Sequence, residues 1–227
     1  MFGTGLGELL EQVRHVSVTD APVLILGETG VGKEVMARQI HLMSRRSGPF
    51  IAVHPASTPE HLFESEFFGH EKGAFTGAIR QKVGLAEMAH QGTLFIDEAG
   101  DIPAPMQIKL LRVFQDHRFM RVGGEEERHS DFRLICATNK DLWAEVKSGH
   151  FREDLYYRLS VVPLTIPPLR QRPDDALAWA QAILKQLQPS YGRYLHLTQD
   201  AWKALRGFSW PGNKAQLYGV CQRILVE

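Results

Sequence analysis

The chain has 227 residues, 44% of them apolar, with 26 basic side chains against 26 acidic ones. That length can bury a full core and suggests one α/β domain with a smaller appendage, while the balanced charge leaves no electrostatic footprint for nucleic acid. The two cysteines are too few for a disulfide framework and lack metal-ligand spacing, which fits a reducing cytoplasm. No run approaches the ~18 apolar residues of a membrane helix, and no signal peptide opens the chain.

In chain order the first signal is the apolar run Val23-Leu24-Ile25-Leu26, followed by Gly27-Glu28-Thr29-Gly30-Val31-Gly32-Lys33-Glu34 and a helical pattern of Val35, Met36, Ile40 and Leu42. A buried strand, a glycine turn and a helix start are the context of a phosphate loop. Backbone N–H groups of such a loop converge on phosphate oxygens at the helix N-terminus, and Lys33 adds a mobile charge for the terminal phosphates. The position after the lysine, usually Ser or Thr for the metal, is Glu34, so magnesium is expected to be held otherwise, through water and Asp97.

The strand Phe50–Val53 runs into His54 and Pro55, and further on comes the small-residue loop Gly73-Ala74-Phe75-Thr76-Gly77-Ala78. One aromatic among small residues suits an exposed grip on a partner protein; the alternative is a buried Phe75 with Gly73 and Gly77 making turns. The strand Leu94–Asp97 ends in the carboxylate pair Asp97-Glu98. Ligands gather at the C-terminal ends of parallel strands, so Asp97 can reach a metal while Glu98 polarises an attacking water. The competing reading is a helix start capped by Asp97. It does not account for the separation of about 65 residues from Lys33, usual for phosphate-loop ATPases.

A helix is expected over Met106–Gln115 with a Leu110, Leu111, Phe114 face, and a buried strand over Arg133–Ala137 containing Cys136. After the strand Val161–Ile166, the pair Pro167-Pro168 ends the alternation, and Asp174–Leu187, Thr198–Arg206 and Lys214–Val226 read as helices, the last with Cys221. The fold class is therefore α/β, a doubly wound parallel sheet over residues 1–168, with an α-helical lid over 169–227.

The glutamate-ended phosphate loop, the run Glu64-Ser65-Glu66-Phe67-Phe68-Gly69-His70-Glu71-Lys72 leading into Gly73 to Ala78, and the later Trp210-Pro211-Gly212-Asn213 resemble the central AAA+ domain of bacterial enhancer-binding proteins, the activators of sigma-54 RNA polymerase. The resemblance runs from Gly3 to about Val226, and the six-residue loop is close to diagnostic. It implies an AAA+ P-loop ATPase that needs ATP and Mg2+, assembles as a hexameric ring and remodels sigma-54 holoenzyme to allow promoter opening, with Gly73 to Ala78 contacting the sigma factor. It further implies that Thr138 and Asn139 report the state of the terminal phosphate, although such a polar pair is also an ordinary turn former. Arg152 and Arg158, in the segment Gly149 to Leu159, would reach a neighbouring subunit's nucleotide and make assembly a condition of hydrolysis. Their alternative is a surface salt bridge with Glu153 or Asp154. Arg121-Val122-Gly123-Gly124 resembles a second loop that moves with the first, with a plain hairpin turn as the alternative. The family's sensory and helix-turn-helix domains have no counterpart here, so an isolated motor without direct DNA binding and without a membrane segment is expected.

Two positions depart from the family pattern. Where the family has an asparagine paired with the catalytic glutamate, this chain has His54, expected to donate a hydrogen bond to Glu98 as a switch. Beside Gly212-Asn213, where a lid arginine would face the phosphates, the chain reads Lys214-Ala215-Gln216-Leu217. Ala215 cannot touch a phosphate, and Lys214 points about 100° away around the helix. A second reading therefore stays open, in which the chain binds ATP and assembles but scarcely hydrolyses; retained Glu98 and both arginines argue against it. A generic unfoldase or clamp loader does not explain the six-residue loop.

Overall fold

Apolar runs buried on both faces make central strands, whereas half-exposed ones sit at the edges. The computed structural model describes residues 6–226 and follows that rule. In chain order the elements are α1 Gly7–Ser17, β1 Val23–Leu26, α2 Lys33–Met43, β2 Phe50–Val53, α3 Glu60–Phe68, β3 Gly69–His70, β4 Lys82–Val83, α4 Leu85–Met88, β5 Thr93–Ile96 and α5 Ala104–Asp116. They continue with β6 Arg118–Met120, β7 Glu127–His129, β8 Arg133–Thr138, α6 Leu142–Lys147, α7 Glu153–Leu159, β9 Val162–Thr165, α8 Pro173–Tyr191, α9 Gln199–Gly207 and α10 Asn213–Val226. The main sheet has the order β2-β5-β8-β1-β9. Its pairs β2 with β5, β5 with β8 and β1 with β8 run parallel. The central β5 and β8 are buried along their whole length. Pro163, which cannot donate to a ladder, lies in the edge strand β9.

The described backbone divides into two compact units, one made of residues 6–11, 27–33 and 165–226, the other of 12–26 and 34–164. The core of the larger unit packs Phe63, Phe67 and Phe68 of α3, Leu110, Val113 and Phe114 of α5, and Leu155 and Leu159 of α7 with the sheet residues Leu94, Ile96, Leu134 and Cys136. The other unit closes on Ala176, Ala180 and Leu184 of α8, Leu205 of α9 and Leu217, Cys221 and Leu225 of α10, together with Trp210. The Trp210 indole N–H donates to the Leu205 carbonyl at 2.9 Å, so the ring is buried without an orphaned donor. Cys136 and Cys221 are both reduced and buried; burial pushes the Cys136 thiol far above its ordinary value and the Cys221 thiol up to about 11.

One feature differs from the sequence expectation. In α2 the buried apolar residues are Met36, Ala37 and Ile40, while Val35 and Leu42 are 41% and 76% exposed. Positions seven apart share a helix face, so the expected apolar set had mixed the outer face with the inner one. Arg133 opens a fully buried strand, and its guanidinium donates to the Ser17 and Val16 carbonyls at 2.7 Å each. It thereby takes up the last carbonyls of α1, where a cation is also favoured by the helix dipole.

Replacing Arg133 by Met should cost roughly 1–3 kcal/mol in urea unfolding, because it strands the Ser17 carbonyl, an acceptor whose desolvation costs about that much when unpaired, whereas the Val16 carbonyl keeps its bonds from Thr19. Arg118→Met removes a pair in which both side chains are 61% exposed. It should cost less than about 1 kcal/mol.

Candidate functional site

The phosphate loop is held by its carbonyls. Asn213 Nδ2 donates to the Thr29 carbonyl at 3.1 Å, the Lys214 backbone N–H to Gly30 at 3.0 Å, and Arg172 Nη2 to Val31 at 3.1 Å. Lys33 is 6% exposed and its ammonium donates to the Gly27 carbonyl at 3.1 Å. Gly30 has φ +79, and a Cβ there would lie 2.7 Å from the Gly212 carbonyl, so no other residue fits without moving that turn. The Glu28 carboxylate accepts two parallel bonds from Arg170, at 2.9 and 2.6 Å, and one from Asn213 Nδ2 at 3.1 Å. These hydrogen bonds, Arg170 first and Asn213 second, pull its pKa down to about 2. The pair is thus complete above the ordinary carboxylate range near 4.5 and is lost only as pH falls through about 2.

Asn213 and Arg170 were not among the residues expected to act at this loop. Asn213 is fully buried with φ 49, and its Oδ1 accepts the Leu169 N–H at 2.8 Å. Lys214, the alternative to the missing lid arginine, lays its ammonium 3.5 Å above the Trp179 ring, and burial lowers its pKa. Ala215 packs its methyl 3.3 Å from where a Gly30 Cβ would be. Glu34 turns along its helix to Arg38, at 2.7 Å.

The carboxylate pair sits where β5 ends. Register pairs Val53 with Ile96 and Ile96 with Cys136, so the next residues, His54 and Asp97, emerge side by side. His54 Nδ1 stands 3.6 Å from Asp97 Oδ2. Pro55 confines His54 to extended backbone in step with β5, which sets it beside Asp97, the neighbour of the Glu98 it was expected to meet. Glu98 adopts φ 55, a left-handed conformation that commonly costs a non-glycine residue about 1–2 kcal/mol. Its Oε2 accepts the Asn139 backbone N–H at 3.0 Å. The residue that follows β8 thus orients Glu98. Thr138 is buried, and its hydroxyl accepts the Lys140 N–H at 3.1 Å.

Arg152 and Arg158 open and close α7. Arg152 is bidentate on Asp154 at 3.0 and 2.7 Å in an exposed pair, which raises its pKa. Arg158 donates from Nε to the Phe114 carbonyl at 2.8 Å, and its Nη2 bonds the same oxygen. Of the salt bridges weighed from sequence, the one observed is Arg152 with Asp154.

The loop Gly73 to Ala78 is closed by Gly73 N–H to the Ala78 carbonyl at 2.8 Å and Ala78 N–H to Phe75 at 3.0 Å. Phe75 is 40% exposed, with its ring edge-on to His70 at 5.0 Å, whose Nδ1 meets Ser65 Oγ at 2.7 Å. Ala78 is 5% exposed, the most buried apolar residue of the loop. Ile79, which the sequence reading passed over, is 84% exposed. The second loop is strapped to the first. Glu71 N–H bonds the Val122 carbonyl and Val122 N–H the Gly69 carbonyl, both at 3.0 Å. Arg121, almost fully buried, joins Glu87 at 2.8 Å and Glu71 at 3.1 Å. At Gly123, with φ +72, a Cβ would lie 2.7 Å from the Ala74 methyl.

Among the described residues no cluster of three or more His, Cys, Asp or Glu side chains could hold a metal, and no helix is long and apolar enough to cross a membrane.

The chain is similar to known proteins over nearly its whole length. The family described as "Sigma-54 interaction domain" matches residues 3–165, and the one described as "AAA+ ATPase lid domain" matches 170–227. The Nif-specific regulatory protein of Klebsiella pneumoniae is 46% identical over 220 residues, 96% of this chain and 42% of that protein. The regulatory protein AtoC of Escherichia coli strain K12 is 47% identical over 221 residues, 96% of this chain and 48% of that one. NtrX from Brucella abortus, solved in complex with ADP, superposes with a TM-score of 0.92 at 37% identity, over 100% of this chain and 51% of that one. The chain thus spans about half the length of the relatives it matches.

Gly123→Ala should push the two loops apart and cost about 1–3 kcal/mol in urea unfolding, since it adds left-handed strain to a clash with Ala74. Gly124→Ala, whose nearest neighbours would be at 3.3 Å and whose φ is ordinary, should cost less.

Proposed function

The chain belongs to the sigma-54 interaction domain family and carries that family's AAA+ lid, and from this we propose that it is the ATP-hydrolysing motor of a sigma-54-dependent activator. The observation that carries the reading is the loop Gly73 to Ala78, which presents Phe75 half-exposed on a base tied down by Arg121. A large apolar side chain on a fastened platform suits force on a partner, because little of the push is lost in loop bending. The partner in this reading is sigma-54 in the polymerase holoenzyme, with Phe75, Thr76 and their small neighbours as the contact.

Lys33 and the backbone of Gly27 to Gly32 take the ATP phosphates. Solved relatives bear on this: NtrX of Brucella abortus was crystallised with ADP and with ATP. Asp97 would hold magnesium, and a single strand-end carboxylate suits an ion that keeps most of its waters. When bound, that ion neutralises charge on the phosphates. Glu98 orients a water for attack on the terminal phosphorus; the P–O bond to ADP breaks, and the water's proton passes through Glu98 to phosphate. The Asn139 amide keeps the Glu98 carboxylate in position for that step. Arg152 and Arg158 exchange Asp154 and the Phe114 carbonyl for a neighbour's phosphates in a hexameric ring. The exchange is feasible for Arg152 because its ion pair is solvent-exposed and water screens it. The subdomain boundary is placed at 168/169, with support from family matches that end at 165 and resume at 170. The chain acts in the cytoplasm, with no DNA contact of its own.

One observation favours the second reading, an ATP-binding module that scarcely turns over: His54 Nδ1 lies 3.6 Å from Asp97 Oδ2, the carboxylate that would hold magnesium. Steady-state turnover decides. Glu98→Gln should keep ATP affinity and lower turnover by at least ~10², the usual scale for a positioned acid–base group. An unmeasurable wild-type rate would support the second reading, and an unchanged rate in the variant would remove Glu98 from the mechanism.

Phe75→Ala should leave the melting temperature and ATPase rate close to wild type while abolishing sigma-54 binding, because an exposed ring contributes little to folding. A core phenylalanine would cost ~3–5 kcal/mol on truncation. A large stability loss with binding retained would show that Phe75 is structural.

A further inference from the structure

A carboxylate inside an anion-binding loop opposes its purpose, since each unit of negative charge near the phosphates repels them. Glu28 is such a group, one residue after Gly27 and five before Lys33. Its charge is met by Arg170 through two parallel bonds at 2.9 and 2.6 Å, the strongest arrangement available to a carboxylate. Asn213 adds a third bond at 3.1 Å, and the same amide also reaches the Thr29 carbonyl. The nearby candidates for a lid cation are otherwise engaged or apolar: Lys214 lies on Trp179, Arg172 is buried on the Val31 carbonyl and Asp175, and Ala215 has no charge.

We propose that Arg170 and Glu28 form a charge-cancelling positioning pair, in which Arg170 silences the carboxylate of the phosphate loop and fastens that loop to the segment carrying Asn213, so that nucleotide affinity depends on a residue 142 positions away. The proposal rests on the nucleotide-binding reading above. It makes Arg170 a positioning residue that acts on the phosphates through Glu28. The alternative is that Arg170 only adds rigidity.

The two differ in a double-mutant cycle read by titration of a fluorescent ATP analogue into the full chain. Arg170→Ala leaves an unneutralised carboxylate beside a polyphosphate and should weaken binding about 3–10-fold at low salt, with the loss shrinking as salt is added. Glu28→Gln should tighten binding a few-fold, because it leaves Arg170 as a net cation. The combined Glu28→Gln, Arg170→Ala protein should return to within about twofold of wild type, and Arg170→Lys should retain most of the affinity because its charge remains. Circular dichroism melts confirm that each variant is folded. Three results would overturn the pair: unchanged affinity in Arg170→Ala, a double variant no better than the single, or a loss indifferent to salt. If wild type itself binds no analogue, the nucleotide-binding reading fails first, and the pair with it.

Discussion

A loop can offer its N–H groups to an anion only if something else holds its shape, and here the restraint falls on the opposite side of the peptide. The carbonyls of Gly27, Thr29, Gly30 and Val31 each accept a bond, from Lys33, Asn213, the Lys214 backbone and Arg172 in turn. Because a peptide's N–H and C=O point in opposite directions, clamping the oxygens orients the nitrogens together. Asn213 is the centre of this arrangement. It is fully buried in a left-handed conformation, and its side chain is spent on Leu169, Thr29 and Glu28.

Strand register performs a comparable task in the larger unit. Continuous burial of β5 and β8 fixes them as the centre of the sheet, and their alignment delivers Asp97 and Glu98 at one end. The chain must then turn sharply, which it does at Glu98 itself with a positive φ. That strain is tolerated because the carboxylate is tied to Asn139 and the backbone before it to Val53. Strained backbone at the residue proposed to carry the chemistry is a common mark of pre-organisation.

Much of the architecture was legible because period and punctuation are local. The strand Val23–Leu26 and the helices of residues 173–226 could be read from runs of apolar residues broken by glycine and proline. What could not be read depends on pairing. Nothing in the vicinity of Glu28 announces Arg170 or Asn213, since the partners lie 142 and 185 residues along the chain. That His54 stands beside Asp97 is a matter of strand register, which composition does not encode. Arg133 at the start of a buried strand would count against burial on any hydropathy scale; two helix-end carbonyls make the site hospitable. In α2, six apolar residues in eleven fit two faces, and only the sheet decides which one is covered.

The burial of Cys136 and Cys221 has a practical side. A thiol sealed in a core and held protonated reacts slowly with maleimides and with other alkylating reagents, which attack the thiolate. The chain is therefore suited to site-directed labelling without first deleting its native thiols. A single cysteine placed at Ile79, the most open apolar position beside the loop Gly73 to Ala78, would carry a fluorophore or spin label as the lone reactive handle. The motion of that loop could then be followed by spectroscopy in the chain as it stands.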